Sequence, residues 1–225
     1  MAAAVPSELV AGDEVLRILH DAVDGRPPPG DGLVRVVGQP PGPVAAILAF
    51  TAHHVVAAEV DPAWVHGRLP AGDLGAPVGP AFVGELAEVV GVQPGSLDVV
   101  FAGEGTGRGA PGLVEPAPAD LDHPRVARSA RYRTEVEVFV ADGGDGVLVV
   151  GRGLARRWEA AYEVAEPARG RGLGRALVTA ALDLVPVGEP LFVSVAPGNV
   201  ASLRAVLASG RFRPVCGEIL FAVGA

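Results

Sequence analysis

Lysine is absent from this chain of 225 residues, so all 18 of its basic side chains are arginine. A Walker phosphate loop is thereby excluded, because it must end in Gly-Lys-Ser/Thr. Cys216 is the single cysteine, which rules out an internal disulfide framework and a Cys-based zinc site. No apolar run reaches the roughly 18 residues that a membrane span needs. Met1 to Val10 lacks the basic start and long apolar middle of a secretory signal. Aromatic residues make up only 5%, and no basic stripe interleaves with them, which argues against nucleic-acid binding. These absences together lead us to expect a cytoplasmic, soluble protein without membrane or nucleic-acid partners.

What is present is a globular composition: 49% hydrophobic and 20% charged, long enough to bury a core as one large domain or two small ones. The formal net charge of −8 is unevenly spread. Residues 1–120 carry 5 Arg against 15 Asp and Glu, and residues 121–225 carry 13 Arg against 11. The arginine-rich half suits a polyanionic ligand, and the acidic half suits attraction of a cationic amine.

The Gly- and Pro-rich stretch from Gly103 to Pro124 reads as a joint between two regions, divided as 1–118 and 119–225. In the first, Leu9, Val15, Leu16, Ile18 and Leu19 fall at helical spacing, and Pro27 to Gly30 breaks the chain. Leu33 to Val37, one or two segments within Val44 to Val60, and Leu97 to Ala102 read as strands. Phe82 to Val90 reads as a helix. Pro62 to Pro80 is mostly loop with room for a short helix. Gly105 to Ala110 imitates a dinucleotide fingerprint, but Pro111-Gly112 stands where a helix must open, so a flexible joint is expected. His53-His54 and Glu59 match no zinc spacing, and adjacent strand residues face opposite ways, so no metal is expected.

The second region starts with a basic helix, His123 to Arg133. Glu135 to Val140 and Val147 to Val150 then form strands around the turn Asp142 to Gly146. Trp158 to Val164 is a third strand. Next comes Arg169-Gly170-Arg171-Gly172-Leu173-Gly174-Arg175, leading into a helix marked by Leu173, Leu177, Ala180, Ala181 and Leu184 and ended by Pro186. Glycines at a helix start present several N–H groups to an anion at the positive end of the helix dipole. The strand Leu191 to Val195, then Ala196-Pro197-Gly198-Asn199, a helix Val200 to Ala208, Ser209-Gly210, Phe212 and a last strand Glu218 to Val223 complete an α/β domain with a mixed sheet.

Arg169, Gly172 and Gly174 in the pattern Arg-x-x-Gly-x-Gly, with the strand, Asn199, short helix and Phe212 after them, resemble the GNAT superfamily of acyl-CoA-dependent N-acyltransferases over roughly residues 135–221. The resemblance implies an α+β mixed sheet of GNAT type in the C-terminal half. It leaves the N-terminal α/β region as either a degenerate copy of the same fold or a substrate-side domain. It also implies that residues 169–175 bind the pyrophosphate of acetyl-CoA, with no metal. The strand ending at Val164 and Ala165 would part from the next one and pair its backbone with the pantetheine arm. Asn199, with Ser202 three residues on, is an N-cap that would also contact that arm. An amine would attack the acyl thioester directly, and the amine would belong to a small molecule, peptide or protein.

Such a reaction needs a base, a donor to the carbonyl oxygen and a route for a proton to the thiolate. Glu163 is the favoured base, with Glu159 on the same strand face; either is equally readable as a surface carboxylate. The oxygen donor would be the N–H near Val164 or Ala165. The family often has a Tyr seven residues after the Asn, where this chain has Val206. Ser194, Ser202 and Tyr162 are substitutes. That departure keeps open a non-catalytic acyl-CoA sensor, and oligomerisation is also open. Cys216 reads as packing rather than nucleophile.

Overall fold

The computed structural model describes residues 11–223; Leu9 and the Met1 to Val10 segment lie outside the described residues. The amphipathic pattern of the first region becomes α1 (Ala11–Val23), and the Pro-rich break is a loop. β1 (Val34–Val37), β2 (Val44–Phe50) and β3 (His53–Ala57) follow; β2 and β3 are buried on both faces, as continuous apolar, β-branched runs require. α2 (Pro62–His66) and α3 (Pro80–Val90) both have Pro at the first position, where its missing N–H costs nothing. β4 (Asp98–Glu104), β5 (Leu113–Val114) and α4 (Pro118–Leu121) lead into the second region.

There, α5 (Pro124–Ala130) is capped by His123, and β6 (Thr134–Ala141) and β7 (Gly146–Arg152) form the expected hairpin. β8 (Trp158–Val164), α6 (Leu173–Asp183), β9 (Pro190–Val195) and α7 (Val200–Ala208) alternate as the periodicities indicate. β10 (Arg213–Ala222) begins five residues before the strand expected at Glu218, because Arg213 and Pro214 already pair with β4.

All ten strands lie in one mixed sheet, in the order β1-β3-β2-β10-β4-β9-β8-β7-β6-β5. β4, from the first region, sits between β9 and β10 of the second and pairs antiparallel with both. On one face, here the front, α1 covers β1 and β10 and α5 covers β6 to β8. On the back, α3 packs with β2 and β3, while α6 packs on β7 and β8.

The Gly105 to Ala110 run is an anchored cap instead of a flexible joint. The amides of Gly105, Thr106, Gly107 and Gly109 donate to the carbonyls of Glu189, Leu182, Val185 and Asp183 at 2.8–3.0 Å. The carbonyls of Leu182, Asp183 and Val185 lie at or just past the C-terminal end of α6, so the run caps that helix, while Gly105 ties it to the start of β9.

β8 and β9 meet over a buried charge cluster. Arg157 and Glu159 are fully enclosed and bond at 2.7 Å, and Arg157 also reaches Glu218 of β10 at 2.7 Å. Arg133 pairs with the other oxygen of Glu159 at 3.0 Å. Removing one member of such a set leaves uncompensated buried charge. Arg157→Leu is therefore expected to cost about 3–5 kcal/mol in urea unfolding; a loss below about 1 kcal/mol would mean that Glu159 and Glu218 carry no charge needing a partner.

Candidate active site

β8 and β9 run parallel but pair only at Trp158↔Leu191 and Glu159↔Phe192. Had the register continued, Ala161 would face Ser194; instead the strands separate. β8 stays with β7 along its whole length, and β9 stays with β4. The result is a wedge-shaped gap inside a continuous sheet, bounded by backbone that has lost its ladder partner.

The direction of those backbone groups follows from pairing. Ala165 N–H donates to Asp145 O at 2.8 Å, toward the β7 turn. Alternation along an antiparallel strand then turns the N–H and C=O of Val164 and Tyr162 toward the gap. Arg169 Nε donating to Val164 O at 3.1 Å agrees with this. Ala165 is thus removed from the expected binding set: its amide is occupied, and it does not line the cleft. Val164 N–H points into the gap without a ladder partner.

Beside the gap, a 3-10 turn at Glu166–Ala168, anchored by buried Ala168, sets the glycine loop in place. Gly170 and Gly172 have φ of 77° and 90°, left-handed values that favour glycine. Gly172 is the N-cap of α6, and no side chain caps it. Among the described residues, no protein acceptor takes the amides from Gly170 through Arg175; the first helical bond is Ala176 N–H to Gly172 O. Gly174 lies against the neighbouring elements: a Cβ there would stand 3.4 Å from Tyr162 and 3.6 Å from Ala205. Arg169, Arg171 and Arg175 are exposed around these amides.

Loop and gap open into one cleft of about 870 Å³. Glu163, Val164, Arg169, Gly170, Arg171, Gly172, Leu173, Gly174, Arg175, Asn199 and Ser202 all line it. Asn199 Oδ1 accepts from Ser202 N–H at 3.1 Å, the expected N-cap of α7. The sequence reading missed Arg125, whose guanidinium holds Glu163 Oε2 at 3.2 Å from 38 residues away; nothing local announces it. It also missed Ala201, Ala205 and Ala208, which give α7 a low wall on the cleft side. Their spacing of four and three was a readable signal.

The two carboxylates of β8 differ sharply. Glu163 is partly exposed in the cleft. Glu159 is sealed in the cluster and is no surface group: burial raises its carboxyl, but Arg157 and Arg133 outweigh that and hold it below the ordinary carboxylate range. It is unsuited to taking a proton from substrate. Val206 is fully buried against the α6 core, so the seventh position after Asn199 does not face the cleft. A phenol does line the cleft from β8: burial raises the pKa of Tyr162 above the ordinary phenol value, so it is protonated at neutral pH. Ser194 does not line the cleft and bonds Glu218 on the front face. Burial pushes the Cys216 thiol up, away from a nucleophilic thiolate.

His53 is held by Asp31 at 2.8 Å and borders a separate cavity of the first region, and His54 is buried. Among the described residues no group of three or more His, Cys, Asp or Glu is placed to hold a metal, and no helix is long and apolar enough to cross a membrane.

No family model matches the chain, and no curated protein matches its sequence. Among solved structures it is similar to an acetyltransferase from the GNAT family from Colwellia psychrerythraea, with 13% identity and TM-score 0.39, covering 63% of this chain and 62% of that one. A GNAT-family acetyltransferase from Novosphingobium aromaticivorans matches at 17% identity and TM-score 0.43, over 56% of this chain and 63% of that one. A GCN5-related N-acetyltransferase from Sphaerobacter thermophilus matches at 18% and 0.35, over 61% and 54%. The chain spans under two thirds of their lengths.

On the front face, Asp98 lies half-buried in β4 with Ser96 Oγ donating to it at 2.6 Å. Burial raises its carboxyl, partly offset by Ser96 and Arg128. Because the folded value lies above the unfolded one, ionised Asp98 weakens the fold at neutral pH, and the penalty disappears as pH falls below about 3.8, the unfolded value. Asp98→Asn should therefore raise the unfolding midpoint at pH 7 and leave it unchanged at pH 3. An equal shift at both values would assign the effect to packing.

Proposed function

We propose that this cleft binds an acyl-CoA and passes its acetyl or short acyl group to a primary amine by direct attack. One observation carries the reading: a strand pair that opens after two residues stands beside an uncapped, glycine-led helix N-terminus, and both line a single cleft. The loop amides offer donors to a diphosphate, each charge-assisted bond being about twice as strong as a neutral one. The helix dipole adds about 0.3–1 kcal/mol for an anion at an exposed helix end, and the surrounding arginines add positive charge. The free edge of β8 can take the amides of a pantetheine arm as an added strand, with Arg169 leaving Val164 O to a ligand N–H.

In this reading the thioester carbonyl lies against Val164 N–H, which stabilises the oxyanion as the amine attacks. Glu163 accepts the amine proton, directly or through water, and Arg125 fixes its orientation. Tyr162, protonated in the cleft, delivers a proton to the departing thiolate. The C–N bond forms as the C–S bond breaks, leaving amide and free thiol.

Two measurements test it. Calorimetric titration should give saturable binding of acetyl-CoA, and Gly174→Val, which fills the space before Tyr162 and Ala205, should weaken it by at least about 30-fold, or 2 kcal/mol. Because Val is a better helix residue than Gly, the unfolding midpoint should not fall; unchanged affinity would remove the loop from the site. Glu163→Gln should lower kcat by about 10²–10⁴ and leave acetyl-CoA affinity intact. A wild-type kcat would strip Glu163 of the role of base. Binding without thiol release for any amine would favour the sensor.

A further inference from the structure

The gap also opens on the front face. A small cavity of about 100 Å³ beneath α5 has its floor on four adjacent strands: Asp98 of β4, Glu218 of β10, Ser194 of β9 and Ala161 of β8. Ala161 and Ser194 each lie two residues past the last β8–β9 pair, where the two strands have separated. The inner end of this cavity is therefore the far side of the gap, and Arg125 borders both it and the main cleft. Outward, it shares Gly95, Ser96, Arg128 and Tyr132 with an open groove of about 680 Å³, where Arg131 is added.

The polar groups on this route are unevenly committed. Arg125 and Arg133 are paired with Glu163 and Glu159. Among the described residues, Arg128 and Arg131 make no salt bridge with a carboxylate. Further in, Ser129 of α5 is 1% exposed and its hydroxyl has no hydrogen-bond partner among the described residues. A buried hydroxyl left unpaired costs stability unless a bound group completes it. Asp98 is the carboxylate on the floor that no arginine holds by a direct contact.

We propose that this groove admits the acceptor, and that the acceptor is an amine which also carries an anionic group, a carboxylate or a phosphate. Arg128 and Arg131 hold the anion at the entrance, while Asp98 and Ser129 guide the ammonium inward to the gap, where it loses its proton to Glu163. The proposal rests on the acyl-transfer reading and narrows its substrate class. It also reverses the expectation of a simple cationic acceptor drawn from the acidic first half: guanidiniums at the entrance repel polyamines, whatever the net charge of the chain.

The test is thiol release from acetyl-CoA with matched amines: lysine against pentane-1,5-diamine, and O-phosphoethanolamine against ethanolamine. At least one anionic member should exceed its partner by about tenfold or more in kcat/KM, and which pair responds distinguishes carboxylate from phosphate. The double variant Arg128→Gln/Arg131→Gln should raise KM for that acceptor by about tenfold, with calorimetric acetyl-CoA affinity and unfolding midpoint unchanged. If acetyl-CoA binds but the uncharged-tail or dicationic partners react as fast, or no member reacts, this inference falls and cofactor binding stands. If acetyl-CoA does not bind, the acyl-transfer reading fails and takes the acceptor proposal with it.

Discussion

Everything at the candidate site depends on the two residue pairs at which β8 and β9 are joined. To one side, β8 is held along its length by β7; to the other, β9 is held along its length by β4. Each strand follows its own neighbour, so the sheet consists of two blocks meeting at Trp158↔Leu191 and Glu159↔Phe192. The closed end of the wedge is where the buried charges sit. Glu159 is itself a member of the last pair, Arg157 precedes it in sequence, and Glu218 reaches across from the other block. A charge cluster of this sort is a poor source of net stability. Its position gives it another use: the Arg157–Glu218 contact ties block to block and fixes where the strands begin to separate.

Opening a sheet in its middle exposes backbone groups that would otherwise be paired, and an unpaired strand edge invites another strand. Here the exposed stretch is short, three to five residues, and lies inside the molecule between α6, α7 and α5. An extended segment with amides of its own can pair with that edge. The alternation of β8 then distributes the chemistry. Tyr162 points to the α6 and α7 side with the glycine loop, and Glu163 points to the α5 side with Arg125. In the proposed reaction, Glu163 as proton acceptor on one face and Tyr162 as proton donor on the other would suit two reactants that arrive from opposite sides of one sheet.

Local features of this arrangement were legible in the sequence. The loop amides need left-handed glycines followed by a helix, and Gly170, Gly172 and the Leu173-Leu177-Ala181 periodicity state that directly. Asn199 as a cap follows from its place before an apolar helix. Contacts between distant segments were not legible. The occupied amide of Ala165 depends on a turn carbonyl 20 residues earlier, and Glu163 and Glu159 are indistinguishable by alternation until Arg125 and Arg133 are in place. The direction of the seventh position after Asn199 was not legible for a related reason: helical counting gives the spacing but not which side the sheet occupies, and Val206 faces the core. Gly105 to Gly109 misled because a glycine run reads as freedom, whereas its amides are spent on the end of α6.

β4 shows why the two halves of the chain belong to one argument about the site. A cut at 118/119 falls after the first residue of α4 and leaves β4 with the first half, yet both neighbours of β4 belong to the second. β9 is one wall of the gap, and its full-length partner is β4. The same strand supplies Asp98 to the front cavity, beside Ser194 and Glu218 from the second half. The glycine loop and α6 also depend on the first half, since the amides of Gly105 to Gly109 close the C-terminal end of the helix whose N-terminus faces the cleft. An ordered helix end sixteen ångströms or so away, at 1.5 Å per residue over eleven residues, keeps the uncapped end in register with the gap. The first region, which lacks a glycine loop of its own, therefore contributes to the site through a wall, a carboxylate and a cap.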